Sequence, residues 1–468
     1  MLRAALHNLG CKVNAYETEA MKQQLEERGY EIVPFDQKAD VYVINTCSVT
    51  NIADRKSRQM IHRAKKQNPS AIVVAAGCYV QVAADSLKED GSLDIIIGNN
   101  NKGRLADILE EYRRNSGKEK GERKTERENG GREKCQEVQV LDIAHTEEYE
   151  HLHVGRLGDH TRAFIKVQDG CNQFCSYCII PYARGRVRSR EAEDVAEEIT
   201  ELVSKGYKEV VFTGIHLSSY GTEHMEGSPV KGGDWDSGPL WELIWRIHQI
   251  PGLERIRLGS LEPRIITREF AAKLASLPKF CPHFHLSLQS GCDSTLKRMN
   301  RHYTTEDYLN RCAILREAFE APAITTDVIA GFPGETQEEF DLTREFLEKV
   351  HFYEMHVFKY SRREGTKAAA MKEQIPESVK GERSDVLLEL ERSMSLEYRK
   401  RFLDQRVSVL FEEAVEIDGT SYMVGYTPQY VKTAVPLDGC EETCLSGQIV
   451  TVQAKGLLKE DLLLAELL

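Results

Sequence analysis

The chain has 468 residues, enough for about three domains. Its 41% hydrophobic and 29% charged residues exclude a disordered or collagen-like protein. Lys and Arg number 62 against 74 Asp and Glu, and the formal charge of −12 argues against a globally basic nucleic-acid coat.

No apolar run reaches the roughly 18 residues of a membrane span, and Met1–His7 lacks a signal-peptide core. The expected setting is the cytoplasm, with no membrane partner. In a reducing compartment the twelve Cys read as metal ligands or catalytic groups rather than disulfides.

Residues 1–112 alternate short apolar runs, Val41–Ile44 and Ala71–Ala76, with helical patterns over Glu17–Arg28 and Asp54–Lys66. That alternation predicts βαβ units and a Rossmann- or flavodoxin-like parallel sheet. Residues 113–134 carry no aliphatic or aromatic side chain and are dense in Gly and mixed charge. They open a flexible linker expected over 113–149. Residues 150–390 repeat the alternation, with strands expected at Arg162–Val167, Glu209–Phe212, Arg255–Leu258, His283–Leu288, Ile324–Val328 and Glu354–Val357. Six such units predict a partial or complete (β/α) barrel. A bridging helix is expected over Leu387–Phe402. Residues 391–468 then turn to five short strand candidates, enough for a small OB-like β-barrel. The fold class is α/β overall.

Two cysteine sets carry the chemistry. Cys171, Cys175 and Cys178 form C-x3-C-x2-C directly after the first strand of the barrel zone. Thiolates are soft ligands suited to iron–sulfur clusters, and three ligands on four irons leave one iron open. A zinc site is the alternative, but no fourth Cys or His follows at close spacing. Cys11, Cys47 and Cys78 lie far apart in sequence, yet each follows a short apolar strand. Residues beyond the carboxyl ends of adjacent parallel strands converge in one crevice, so these three can meet; three unrelated buried Cys are the alternative. Cys135, Cys281, Cys292 and Cys312 read as core or loop residues, and Cys440 with Cys444 offers only two ligands.

The chain resembles the methylthiotransferase family of radical S-adenosylmethionine (SAM) enzymes. The motifs are LGCKVNAYE, INTCSVT, AGCYVQ, DGCNQFCSYCIIPYARGRVRSR, LGSLEP, LSLQSGCDSTLKRMNR, DVIAGFPGET and YSRREGTKAA, while GYTPQYVKTAV is similar to the closing TRAM domain of that family. Together they span essentially the whole chain. The Pro-Tyr-Ala-Arg-Gly and Arg-x-Arg-Ser-Arg stretch most resembles the branch acting on N6-threonylcarbamoyladenosine of tRNA. Other branches act on isopentenyladenosine in tRNA or on a ribosomal-protein aspartate; a non-catalytic iron–sulfur electron carrier is a further alternative.

The resemblance implies that Cys171, Cys175 and Cys178 bind a radical-generating [4Fe–4S] cluster whose open iron takes SAM. It implies that Cys11, Cys47 and Cys78 bind an auxiliary [4Fe–4S] cluster delivering sulfur, and that a second SAM gives the methyl group. The chemistry is C–H to C–S–CH3 at C2 of the adenine beside the anticodon. That hydrogen is not acidic, so a cofactor-borne hydrogen-atom abstractor is needed. Implied partners are a tRNA anticodon loop and an electron donor such as flavodoxin or ferredoxin. Tyr177, Thr213, Gly214, Glu262, Gln289 and Ile329 fall at strand ends or beside the cluster loop, as candidates for SAM binding.

RNA contact needs local charge, because screening limits electrostatics to roughly 8–10 Å. Arg184, Arg186, Arg188 and Arg190 lie beside the cluster loop, and Arg55, Lys56 and Arg58 lie on the helix after Cys47. Residues 405–468 are net acidic, so any RNA contact there is expected from one face or from aromatics such as Tyr426 and Tyr430.

Overall fold

The computed structural model describes residues 1–122, 136–155, 161–224, 237–437 and 445–468. Its N-terminal sheet holds β1 (Leu2–Asn8), β2 (Tyr30–Ile32), β3 (Val41–Thr46), β4 (Ile72–Gly77), β5 (Ile95–Ile97) and β6 (Glu137–Gln139). All pairings are parallel, in the order 2-1-3-4-5-6. This is the flavodoxin-like order plus one edge strand. Helices α1 (Lys12–Glu27), α2 (Asn51–Gln67), α3 (Cys78–Leu87) and α4 (Leu105–Glu122) complete the unit. Apolar clusters cover both sheet faces, which is why β3 is buried at every position and reads as a continuous run. The expected linker is shorter than its composition implied: α4 continues to Glu122, and β6 returns to pair with β5.

The central domain holds β7 (Arg162–Lys166), a two-stranded ribbon of β8 (Gln168–Asp169) and β9 (Arg188–Ser189), then β10 (Glu209–Thr213), β11 (Arg255–Leu258), β12 (Ser260–Leu261), β13 (His283–Leu286), β14 (Ala323–Ala330) and β15 (Glu354–Lys359). β11 and β12 are one strand interrupted at Gly259, whose N–H donates to Phe212 O at 2.8 Å. β11 pairs with β10 and β12 with β13, so six parallel strands run from β7 to β15 as an open half-barrel.

The two-residue strand period sorts its side chains. Ala163, Ile165, Val210, Phe212, Ile256, Phe284 and Leu286 join the core under the outer helices. The intervening residues, among them Arg162, Phe164, Lys166, Glu209, Arg257, His283, His285 and Asp327, therefore face the lumen. A filled barrel uses branched apolar residues there; this interior is polar, and Lys166, Arg162, Glu209 and Arg257 within it are ion-paired.

A helix over Glu377–Lys400 contains the expected 390/391 domain border and begins ten residues before the expected bridging helix. It leads to β16 (Arg406–Ile417), β17 (Thr420–Tyr426), β18 (Lys432–Pro436), β19 (Ile449–Lys459) and β20 (Leu462–Leu467), a closed five-stranded barrel. This barrel docks on the amino ends of the central strands. Arg257 donates to Pro428 O at 2.8 Å, and Arg255 to Tyr426 O at 2.9 Å. Tyr426 and Tyr430 stack 4.7 Å apart beneath the Arg162 guanidinium. These two rings lie at the contact between the domains rather than on a free face of the barrel.

Candidate active site

β1, β3 and β4 are neighbours, and each delivers one cysteine from its carboxyl end. Cys11 precedes α1, Cys47 follows β3, and Cys78 opens α3. Asn14 binds two of these loops together, donating to Leu9 O at 2.7 Å and Thr46 O at 3.0 Å. Gly10 has φ +114°, and a Cβ there would meet the Cys47 Cβ and Sγ at 2.9 Å. Only glycine lets the Cys11 loop approach so closely. Burial pushes the Cys47 thiol up to about 11. Two donors address Cys78 Sγ: Arg184 Nε at 3.2 Å and Asn99 Nδ2 at 3.6 Å.

The C-x3-C-x2-C loop is held from a different side. Cys171 N–H donates to Gly185 O at 3.0 Å, and Ser176 N–H to Met299 O at 2.9 Å. Asn300 Nδ2 donates to Gln173 O at 3.2 Å and Phe174 O at 3.1 Å. Burial, aided by the adjacent Cys175, pushes Cys171 up to about 12. Arg301 sends Nη1 to Cys175 Sγ at 3.4 Å and Nη2 to Ser287 O at 3.0 Å.

A cavity of about 350 Å³ opens on this loop. Its wall carries Cys171, Cys175 and Cys178, and also Val49 and Thr50, just past Cys47. Of the residues expected to meet SAM, Tyr177, Glu262, Gln289 and Ile329 line it. Thr213 and Gly214 do not. The Thr213 hydroxyl donates to Ile165 O at 3.1 Å, and Gly214 backs onto Gln168. Ile215 and His216 form that part of the wall, two residues later than expected. Glu262 is itself engaged, with Oε1 accepting from Arg264 Nε at 2.7 Å.

Sequence reasoning missed two residues. Arg301 touches a cluster-loop sulfur. Arg363 reaches across domains to Ser48 Oγ at 2.6 Å and Asp54 at 2.7 Å, fixing the chain beyond Cys47. The only signal for either was its place inside a long family-like motif.

Of the first arginine run only Arg186 is exposed, lying 4.8 Å over the Phe174 ring. Arg184, Arg188 and Arg190 are buried. Arg184 is paired with Glu17 and Asp169, Arg190 with Glu198, and Arg188 donates to Arg184 O at 2.9 Å. They are interior struts, which corrects their expected place on an RNA-facing surface. On α2, Arg55, Lys56 and Arg58 are exposed, and Arg58 donates to the Tyr79 hydroxyl at 2.8 Å. Cys281, Cys292 and Cys312 are buried as expected; Cys135, Cys440 and Cys444 lie outside the described residues.

A half-barrel with a three-cysteine loop at its carboxyl end defines a radical SAM enzyme, which uses a [4Fe–4S] cluster and SAM. Residues 165–347 match the Radical SAM superfamily, and residues 3–98 match a family described as Uncharacterized protein family UPF0004. The radical SAM methyltransferase TsrM from Kitasatospora setae shares the fold, with TM-score 0.53 and 16% identity over 76% of this chain and 73% of that one. The threonylcarbamoyladenosine tRNA methylthiotransferase MtaB of Bacillus subtilis is 41% identical over 97% of this chain and 94% of its own. The MtaB of Thermotoga maritima is 36% identical over 92% and 91%. A tRNA-2-methylthio-N(6)-dimethylallyladenosine synthase of Carboxydothermus hydrogenoformans is 36% identical over 95% and 94%. The chain belongs to the tRNA methylthiotransferase family of radical SAM enzymes. Among the described residues no helix is long and apolar enough to cross a membrane.

Proposed function

We propose that the chain methylthiolates C2 of N6-threonylcarbamoyladenosine at position 37 of tRNA. In this reading Cys171, Cys175 and Cys178 hold the SAM-binding cluster, and Cys11, Cys47 and Cys78 hold a second [4Fe–4S] cluster. The observation that supports it is the cavity wall, which carries the first trio together with Val49 and Thr50, two and three residues past Cys47.

The donors fit such clusters. Both sets are all-thiol, and a cation lies on a sulfur of each, Arg184 on Cys78 and Arg301 on Cys175. A single tetrahedral zinc would draw its sulfurs to roughly 3.8 Å of one another. Among the described residues the trio of ligand atoms gathered within 4.8 Å is His285, Asp327 and His356, not a cysteine trio. The wider thiol spacing suits a multi-iron cluster.

When bound, the clusters and SAM supply hydrogen abstraction, sulfur and methyl. The protein does the rest. Arg301 and Asn300 fix the cluster loop. Tyr177, Glu262, Gln289 and Ile329 shape the SAM wall. Arg363 and Asn14 hold the two halves of the cavity in register. The exposed cations of α2 lead from Thr50 outward and suit the phosphates of an anticodon loop, while unpaired loop bases can be splayed toward the cavity. A small electron-transfer protein such as flavodoxin or ferredoxin, in the cytoplasm, would supply electrons.

Nucleoside mass spectrometry of tRNA from a deletion strain tests this. Loss of the 2-methylthio-threonylcarbamoyl nucleoside, restored by the gene, is expected. Loss of the 2-methylthio-isopentenyl nucleoside instead would assign the other tRNA branch.

A further inference from the structure

We propose that Lys12 receives the carboxylate of the threonylcarbamoyl group inside the half-barrel, and so selects an anionic adenosine substituent over a neutral one. This rests on the substrate reading above. Lys12 follows the auxiliary Cys11 and leaves the N-terminal domain for the lumen, where Nζ stands 5.6 Å from the Phe164 ring centroid and 5.9 Å from that of Tyr430. Among the described residues no carboxylate lies within 4.0 Å of this ammonium. Its neighbours in charge, Arg162 and Arg257, are paired with Glu412 and Glu209, the latter shared with Arg255. Lys12 is solvent-exposed.

Polar residues on the lumen face of β13 and β14 lie between it and the cavity above. Asp327 lines the cavity and meets His285 Nε2 at 3.3 Å. His283 lies two residues deeper on the same lumen face, and its ring is 5.1 Å from that of Tyr430. Tyr430 closes the lower end. An adenine with C2 turned toward the SAM wall carries N6 on the same Watson–Crick edge, so its substituent must lie along this wall. An isopentenyl group offers nothing to an unpaired ammonium. A carboxylate gives it the counter-charge the protein withholds, in a setting where a lost charge partner is costly.

The test uses reconstituted holoenzyme and anticodon stem–loop RNAs carrying threonylcarbamoyladenosine, its methyl ester, or isopentenyladenosine. The ratio of affinities for acid and ester isolates the carboxylate from backbone attraction. Wild type should favour the acid by roughly 30-fold. Lys12→Met and Lys12→Gln should bind acid and ester alike, and Lys12→Arg should keep most of the preference. Iron content equal to wild type certifies assembly. A wild type that separates acid from ester while both neutral variants do so equally well overturns the role of Lys12 and leaves the substrate reading intact. A wild type that methylthiolates the isopentenyl RNA and not the threonylcarbamoyl RNA overturns the substrate reading, and the inference with it.

Discussion

Arg184 places its Nε 3.2 Å from the Cys78 sulfur while its terminal nitrogens hold Glu17, Asp169 and Asn14. It ends the helix α5 (Ile180–Arg184), which begins two residues past Cys178, so the segment after the cysteine loop reaches Cys78. The surroundings are fully buried. Burial alone would raise Glu17, but Arg184, Lys102 and Lys166 outweigh it and hold the carboxyl well below its usual range. Four cations, Arg184, Arg188, Lys102 and Lys166, pair with two carboxylates, Glu17 and Asp169, and Glu150 lies nearby with its carboxyl raised by burial. Of the four, Arg184 also reaches Cys78, where a thiolate would add counter-charge.

That hydrogen bond should favour the reduced, more negative state of a cluster on Cys78. A bond to a charged group is worth about 1.5–3 kcal/mol. If half of it differs between oxidation states, the one-electron shift is roughly 30–65 mV. In a background lacking the three loop cysteines, Arg184→Met should lower the auxiliary midpoint potential by that amount in an EPR-monitored titration. Arg184→Lys should recover part of it.

Gly10→Ala should cost the auxiliary cluster alone. The added methyl would stand 2.9 Å from Cys47 Sγ, on a backbone with φ +114° that disfavours any side chain. Anaerobic reconstitution should yield about four irons per chain in place of about eight, and SAM cleavage to 5′-deoxyadenosine should persist.

The cysteine sets should separate by function. Cys175→Ala should abolish 5′-deoxyadenosine formation, whereas Cys47→Ala should leave it measurable and end sulfur insertion. Each variant should lose about half the iron. Loss of RNA binding alone in both variants would contradict a two-cluster enzyme.

The strands and cysteines were legible because their signals are local. Outward apolar residues alternating with inward ones marked each central strand, and the strand-then-Cys placement put Cys11, Cys47 and Cys78 at the carboxyl ends of β1, β3 and β4. Charge was not legible in the same way. Arg184 and Arg190 read as surface because their partners are remote in sequence or on another element: Glu17 lies on α1, and Glu198 on the helix Ala192–Ser204. Thr213 ends β10 and Gly214 follows it, just short of the cavity wall. The chain continues past β10 before turning to the cavity, so the wall falls at Ile215 and His216. The short edge strand β6 lacks an apolar run and was hidden in the expected linker.

Acid should reveal Glu339, which serves two elements at once. It caps the helix Gln337–Val350 through the Thr336 capping box and accepts from Arg298 Nη1 at 2.8 Å. The Arg298 hydrogen bond, against some burial, lowers its carboxyl to about 2. A depressed folded value stabilises above the unfolded value near 4.5, and that contribution is lost as pH falls toward 2. Solvent screening limits it to about 1–2 kcal/mol. Urea midpoints of the cluster-free protein should fall less steeply between pH 5 and 2.5 in Glu339→Gln than in wild type.

A protein of charge −12 can hold RNA through a local basic patch. Arg55 and Lys56 are exposed on α2, whose capping residue Thr50 lines the cavity. Each phosphate contact on single-stranded RNA contributes about 0.7 to the slope of log affinity against log salt. Arg55→Ala with Lys56→Ala should therefore reduce that slope by about 1.4 in tRNA binding between 50 and 200 mM salt. SAM cleavage without RNA should be unchanged, because neither side chain lines the cavity. An unaltered slope would place the RNA elsewhere and leave Arg186, the one exposed member of the other run, as the cation to remove next.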